Sequence, residues 1–459
     1  MNFWRRFLWA LSLLAASMAM ERSSAAADTW RAGAAKTLIT PDKFMWMMGY
    51  ASRNHPADGK ISDLWAKALA LEDPAGRRAV LVTLDLCGID RGLSQSVCRK
   101  LEAKHGLTRD QIALCVSHTH SGPVVAGCLK TMRIVALDDE QNKLADEYAA
   151  VLETKIVTVV GEALAQLAPA KLSWGSGTAT VAVNRRTNLE PDVPKLRAAG
   201  QLKGPVDHDV PVLAVKDAGG KLTAVVFGYA CHATVLSFNQ WCADWPGFAQ
   251  TELEKSHLDC VALFWAGCGA DQNPLPRRTV ELAEQYGRQI AAAVNAVLAK
   301  EMQDVGGGLQ TSYRETPLAF DKLPTREQLQ ADLQDKNAYV AARAKLLLSD
   351  IDAGKPLQPA YPYPVGVWRI GNDVQFVILG GEVVVDFALR LKAELSGPKT
   401  WVAGYSNDVM AYIPSRRVLI EGGYEGGGAM VYYALPTIWT PDVEQTIVDE
   451  VYKQVRELK

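Results

Sequence analysis

The sequence predicts an α/β fold, one large domain in which mixed β-sheets are flanked by helices. Three observations lead there. Short apolar runs of strand length alternate with longer amphipathic stretches of helical period. The order strand, helix, strand across Arg78–Leu86, Gln95–Lys104 and Ile112–Val116 is that of a parallel pair joined by a crossover. At 459 residues and 48% hydrophobic content, the chain can fill a core of that size.

The first strand is read at Lys36–Thr40, ended by Pro41. Leu64–Glu72 and Arg78–Leu86 flank the turn Asp73-Pro74-Ala75-Gly76 and read as two strands. After the strand at Ile112–Val116 comes a long amphipathic helix, Asp139–Leu167, then an alternating strand, Leu172–Val183. Val212–Val215 and Leu222–Tyr229 form a hairpin around Asp217-Ala218-Gly219-Gly220. Pro246–His257 is a helix with proline in its first turn, Cys260–Trp265 a short buried strand, and Arg278–Glu301 another helix. Thr325–Ile351 reads as one charged surface helix inserted into the domain, and 356–364 as a Pro- and Tyr-rich loop. Val365–Ile370 and Val374–Leu379 make a hairpin, followed by a helix at Val383–Leu395 and a strand at Thr400–Ala403. The Gly-rich stretch 404–430 shows little periodicity, and a helix at Asp442–Leu458 closes the chain.

Residues 1–27 have the layout of a secretory signal peptide. Arg5 and Arg6 precede an apolar stretch from Phe7 to Met20, and Ala25-Ala26-Ala27 offers the cleavage site. The mature protein, 28–459, is expected outside the cytoplasm with no transmembrane span, because the apolar stretch is too short to cross a bilayer. The net charge of −2 with no basic tract argues against nucleic acid as a partner. There are eight cysteines and no C-x-x-C, which disfavours a Cys-rich zinc site. Cys115 and Cys260 fall in apolar strands; Cys128 and Cys242 are the surface-loop candidates for a disulfide.

Four strands end in residues able to do chemistry. The strand before Ser117 delivers His118 and His120, whose i, i+2 spacing puts both on one face of an extended chain. Leu222–Ala230 delivers Cys231-His232. Cys260–Trp265 delivers Gly267 to Asn273, including Asp271. Val374–Leu379 delivers Gly381-Glu382. Ligands of α/β proteins collect at the carboxyl ends of strands. Two imidazoles and a carboxylate with an open position describe a catalytic zinc site, where the ion would lower the pKa of water and polarise a carbonyl. Each residue has a plainer reading: His232 as a core histidine satisfied by backbone, Glu382 as a first-turn complement to a helix dipole, Asp271 as a cap or turn residue. No G-x-S-x-G, H-E-x-x-H, phosphate-binding loop or dinucleotide fingerprint occurs.

His118-Thr119-His120-Ser121-Gly122-Pro123, Cys231-His232, Asp244-Trp245-Pro246-Gly247 and Gly381-Glu382 together resemble the catalytic domain of the neutral (non-lysosomal) ceramidase family. So do Gly404-Tyr405-Ser406-Asn407, Tyr412 and Gly423-Tyr424-Glu425-Gly426-Gly427, with earlier matches at Ala34-Ala35-Lys36, Ile39-Thr40-Pro41, Met48-Gly49-Tyr50 and Asn184-Arg185. The resemblance covers most of residues 30 to 455. It implies a ceramidase-like catalytic domain and a zinc amidase, with His118, His232, Glu382 and Tyr412 as metal ligands and His120, Arg185 and Tyr424 holding the amide carbonyl and its oxyanion. Asp271 lies in the segment matching the family's G-D-x-S-P-N element, where Asn273 stands at the serine position; attack by metal-activated water needs no serine. The family's C-terminal immunoglobulin-like domain is expected to be missing, which weakens ceramide itself as the substrate.

The expectation is an exported, zinc-dependent hydrolase of a C–N amide bond in an N-acyl sphingoid or related lipid or small-molecule amide. Two alternatives are a metal-dependent esterase or deacetylase on a sugar or cell-wall substrate, and a catalytically decayed binding protein of the same fold.

Overall fold

The computed structural model describes residues 29–125, 127–397 and 399–458; the expected signal peptide lies outside them. Twelve strands carry the architecture: β1 (Trp30–Leu38), β2 (Trp65–Glu72), β3 (Arg78–Leu84), β4 (Ile112–Val116), β5 (Ala168–Thr178), β6 (Asp209–Asp217), β7 (Leu222–Tyr229), β8 (Val261–Ala266), β9 (Leu309–Ala319), β10 (Ala360–Ile370), β11 (Val374–Leu379) and β12 (Lys399–Ala403). The first eight form a large sheet in the order β8-β7-β6-β5-β1-β2-β3-β4, and the last four a smaller one in the order β9-β10-β11-β12. Both are mixed. β3 and β4 run parallel around the helix Arg91–His105, as their spacing requires, and β7–β8 and β11–β12 are also parallel; the remaining neighbours are antiparallel.

Helices Asp139–Ala165 and Val280–Leu298 pack on the large sheet, and Val385–Glu394 and Val443–Glu457 on the small one. Aromatic rings of both sheets meet between them. Trp401 of β12 lies 5.5 Å from Trp174, 5.6 Å from Trp265 and 5.0 Å from Phe376. Gly228 of β7 permits this approach, since a Cβ there would sit 2.7 Å from the Trp401 ring. The main buried cluster runs from Trp30 to Val455, with small separate ones around Leu329 and Val193. Among the described residues no helix is long and apolar enough to cross a membrane.

Several elements differ from expectation. β1 begins at Trp30 rather than Lys36 because it pairs with β2 along the register Arg31↔Glu72 to Leu38↔Trp65. The strand expected at Leu172–Val183 is two, 168–178 and 182–184. The charged insertion is two helices, Arg326–Asp332 and Ala338–Asp352. Asp335 Oδ1 accepts from Asn337 N and Asn337 Oδ1 from Tyr339 N, so short polar side chains take over backbone donors and restart the helix. The expected loop at 356–364 is partly strand. Pro362 and Pro364 pair with β9 alone, because β11 joins β10 only from Val365; one flank stays free of the ladder that proline cannot serve. β9 was not legible, being an edge strand rich in polar, half-exposed residues. All eight cysteines are free and buried, including Cys128 and Cys242, which are not surface-loop residues.

The stretch 404–430, irregular in sequence, has a specific task. β4 and β8 are the two edges of the large sheet, and residues 403–407 run between them. Gly404 N donates to Ala266 O, Val116 N to Tyr405 O, and Asn407 N to Leu114 O, while Asn407 Oδ1 accepts from Leu114 N. The same segment reaches the end of β11 through Ser406 N to Leu379 O and Tyr405 N to Gly381 O. Three strand ends are thereby stitched together, and these are the ends that carry His118, Asp271 and Glu382.

Candidate metal centre

β4 stops at Val116, two residues before His118, and His118 itself takes φ 60°. The shared face of a strand is therefore not what aligns His118 and His120. A left-handed residue turns the chain, at a cost of about 1–2 kcal/mol, and brings the rings to 4.7 Å between centroids. Contacts hold the turn: Ser117 N donates to Leu84 O and His118 Nδ1 to the Cys87 carbonyl at 2.6 Å. His232 Nδ1 likewise donates to the Gly269 carbonyl at 2.7 Å, and Trp245 Nε1 to the His232 carbonyl. A carbonyl can only accept, so both Nδ1 atoms carry protons and both Nε2 atoms are turned the other way.

Those Nε2 atoms meet Glu382. Its Oε2 lies 3.2 Å from His118 Nε2 and 3.3 Å from His232 Nε2, and the three ligand atoms all fall within 4.8 Å of one another. All three residues are buried. No hydrogen bond reaches Glu382 Oε2, whereas Oε1 accepts from the Tyr433 hydroxyl. Glu382 owes its place to a two-residue parallel bridge, Glu382↔Tyr412 and Val383↔Ile413, rather than to a helix start, and the same bridge brings in Tyr412. Tyr412 Oη lies 3.4 Å from His232 Nε2. Burial alone would raise the Glu382 pKa, but His118 and His232 outweigh it and hold the carboxylate well below its usual range. Burial and then Arg185 push His232 down to about 4, leaving it neutral. Burial would lower His118 as well, yet Glu382 lifts it above its ordinary value. Two inward imidazole nitrogens, an orphaned buried carboxylate oxygen and a phenol fit a divalent ion with nitrogen and oxygen preference.

A cavity of about 640 Å³, whose wall includes His120, Arg185, Asn273, Tyr412 and Tyr424, lies next to the cluster and meets it through His120 and Tyr412. His120 Nε2 lies 3.0 Å from His118 Nε2, and its ring stands edge-on to Tyr50 at 4.8 Å. Gly49, at φ 102°, makes room for it; a Cβ there would come within 2.4 Å of the imidazole. Arg185 sends Nη2 to Tyr412 Oη at 3.2 Å and Nη1 to Asn273 Oδ1 at 3.3 Å. Tyr424 is 47% exposed, with its ring 5.2 Å from that of Tyr412.

Asp271 stands apart. Its Oδ1 accepts from Val385 N at the start of a helix and its Oδ2 from Asn184 Nδ2, and it is not in the cavity wall. Burial raises its pKa to about 6. Its backbone carbonyl also accepts from Arg185 N, so its contacts are those of the cap or turn residue. Tyr433, Glu425 and the carbonyls of Cys87 and Gly269 were not legible in sequence; Glu425 alone carried a signal, inside the Tyr424-Glu425-Gly426-Gly427 run.

The model for the family "Neutral/alkaline non-lysosomal ceramidase, N-terminal" matches residues 30–266. A neutral ceramidase of Pseudomonas aeruginosa is 30% identical across 92% of this chain and 72% of that protein. Neutral ceramidase 2 of Arabidopsis thaliana is 37% identical over a segment of 79 residues, 17% of this chain and 10% of that protein. Two solved structures share the fold. One, described as a ceramidase complexed with C2, has a TM-score of 0.73 at 21% identity over 94% of this chain and 76% of its own. The other, the neutral ceramidase from Pseudomonas aeruginosa, has a TM-score of 0.72 at 22% identity over 94% and 75%. The family match and the Pseudomonas relative together make this chain a member of the neutral/alkaline non-lysosomal ceramidases, a family of hydrolases.

Proposed function

We propose that this protein is a zinc-dependent amidase that cleaves the C–N bond of an N-acyl amide, N-acyl sphingoids being the first substrates to try, and that it acts outside the cytoplasm after loss of residues 1–27. One observation carries the reading: His118, His232 and Glu382 turn ligand atoms toward a common point, all within 4.8 Å of one another, beside a cavity lined by their contacts His120 and Tyr412.

His118, His232, Glu382 and Tyr412 would hold the ion, which when bound polarises the amide carbonyl and activates water. Arg185 and Tyr424 stand on the cavity wall where the carbonyl oxygen would lie, as N–H and O–H donors to the developing oxyanion. His120 faces the same space. Burial holds its pKa well below the ordinary value, so it enters neutral, able to take a proton from the attacking water and hand it to the leaving amine. Asp271 serves as a brace rather than a reacting group.

His118→Ala and His232→Ala should each lose zinc by elemental analysis together with amidase activity. Full zinc stoichiometry in either variant would make the ligand assignment wrong. A panel running from N-acyl sphingosines to short acyl amides and acyl esters separates an amidase from an esterase or deacetylase. Retained zinc with no turnover on any member would mean a binding protein.

A further inference from the structure

Arg185 has five N–H donors in a fixed planar fork. Three are spent: Nε on Glu425 Oε1 at 2.7 Å, Nη1 on Asn273 Oδ1 at 3.3 Å and Nη2 on Tyr412 Oη at 3.2 Å. Only the bond to Glu425 joins opposite charges, and it is the shortest of the three. Glu425 is itself 5% exposed, and its second oxygen accepts from Arg186 Nη1 at 2.6 Å. Arg186 continues to Glu421 Oε2 at 3.0 Å and the Gly422 carbonyl at 3.1 Å. One carboxylate thus pins two adjacent guanidiniums, and the turn that carries it, Gly423–Gly426, also carries Tyr424. The Arg185 guanidinium lies 5.8 Å from both the Tyr412 and the Tyr424 ring centroids.

We infer that Glu425 is a positioning residue: it clamps Arg185 through Nε so that the two remaining Nη N–H groups, one on each nitrogen, and the neighbouring Tyr424 present a single donor set to the amide carbonyl. Without this carboxylate, Arg185 and Arg186 would repel, and the fork would be held only by two longer bonds to neutral oxygens. The donors are aimed at an oxyanion, so loss of aim costs the transition state more than the bound substrate. The inference rests on the amidase reading above.

The test measures kcat and KM on N-acetyl- and N-dodecanoyl-sphingosine, with zinc content and melting temperature followed in parallel. Glu425→Gln should lower kcat by about 10- to 100-fold, with KM within about twofold of wild type, and leave zinc and melting unchanged. Glu425→Asp should recover part of the loss, and formate should restore part of the turnover of Glu425→Ala; should Glu425→Gln fail to fold, these two measurements decide, and absence of both effects overturns the inference. A Glu425→Gln enzyme with wild-type kcat overturns it alone, as does a kcat loss that tracks zinc loss or melting. A wild-type protein that holds zinc and hydrolyses no amide overturns the amidase reading and the inference with it.

Discussion

At the residue scale, the site is defined less by its ligands than by what orients them. His118 and His232 each spend Nδ1 on a backbone carbonyl, Cys87 and Gly269 respectively, which turns both Nε2 atoms toward Glu382. The histidines and the glutamate were legible because their types and strand-end placement are those of a metal site. The two carbonyls were not, since any residue supplies one. Tyr412 would not have been selected without the family resemblance, and its role depends on the bridge to Glu382. Asn273 touches Arg185 through one long bond of 3.3 Å. Asn273→Ala should therefore keep substantial turnover, within about tenfold of wild type. A collapse to background would give this position a direct part in the chemistry.

At the element scale, periodicity found at least part of each of the named strands except β9. β9 alternates weakly and sits at an edge, so nothing in its composition separates it from a loop. The Gly- and Tyr-rich segment after β12 is hard to read for a different reason. Its hydrogen bonds go to Ala266, Val116, Leu114 and Leu379, all far away in sequence, so no local period marks it. Its position depends on how β12 packs, and β12 packs through Trp401 over Gly228. Gly228→Ala would drive a methyl into that ring and should cost about 1–3 kcal/mol, seen as a lower midpoint in denaturant. A midpoint equal to wild type would mean that the aromatic layer is looser than the ring contacts indicate.

At the scale of the whole molecule, two sheets share one site. His118, His232 and Asp271 follow strands of the large sheet, while Glu382 follows β11 of the small one. Metal binding should therefore tie the sheets together and raise global stability. With zinc a thousandfold above its dissociation constant the gain is about 4 kcal/mol. Chelation should lower the melting temperature of wild type and leave His118→Ala and His232→Ala unmoved. An identical melting temperature with and without chelator in wild type would argue that no ion links the two sheets.

The sequence by itself determined the α/β class, the parallel β3–β4 crossover, the strand ends that carry His118, His232 and Glu382, and the family. These depend on local periodicity and on short motifs, which a linear chain displays directly. Only the tertiary structure decided that residues 403–407 close the seam between the edges of the large sheet, that Asp271 bonds Val385 N and Asn184, and that Glu425 grips Arg185. Each of these is a contact between residues 87 or more positions apart, or a backbone group taking a partner that no side-chain pattern records. Such pairings form only when the sheets have packed and buried polar groups must find partners.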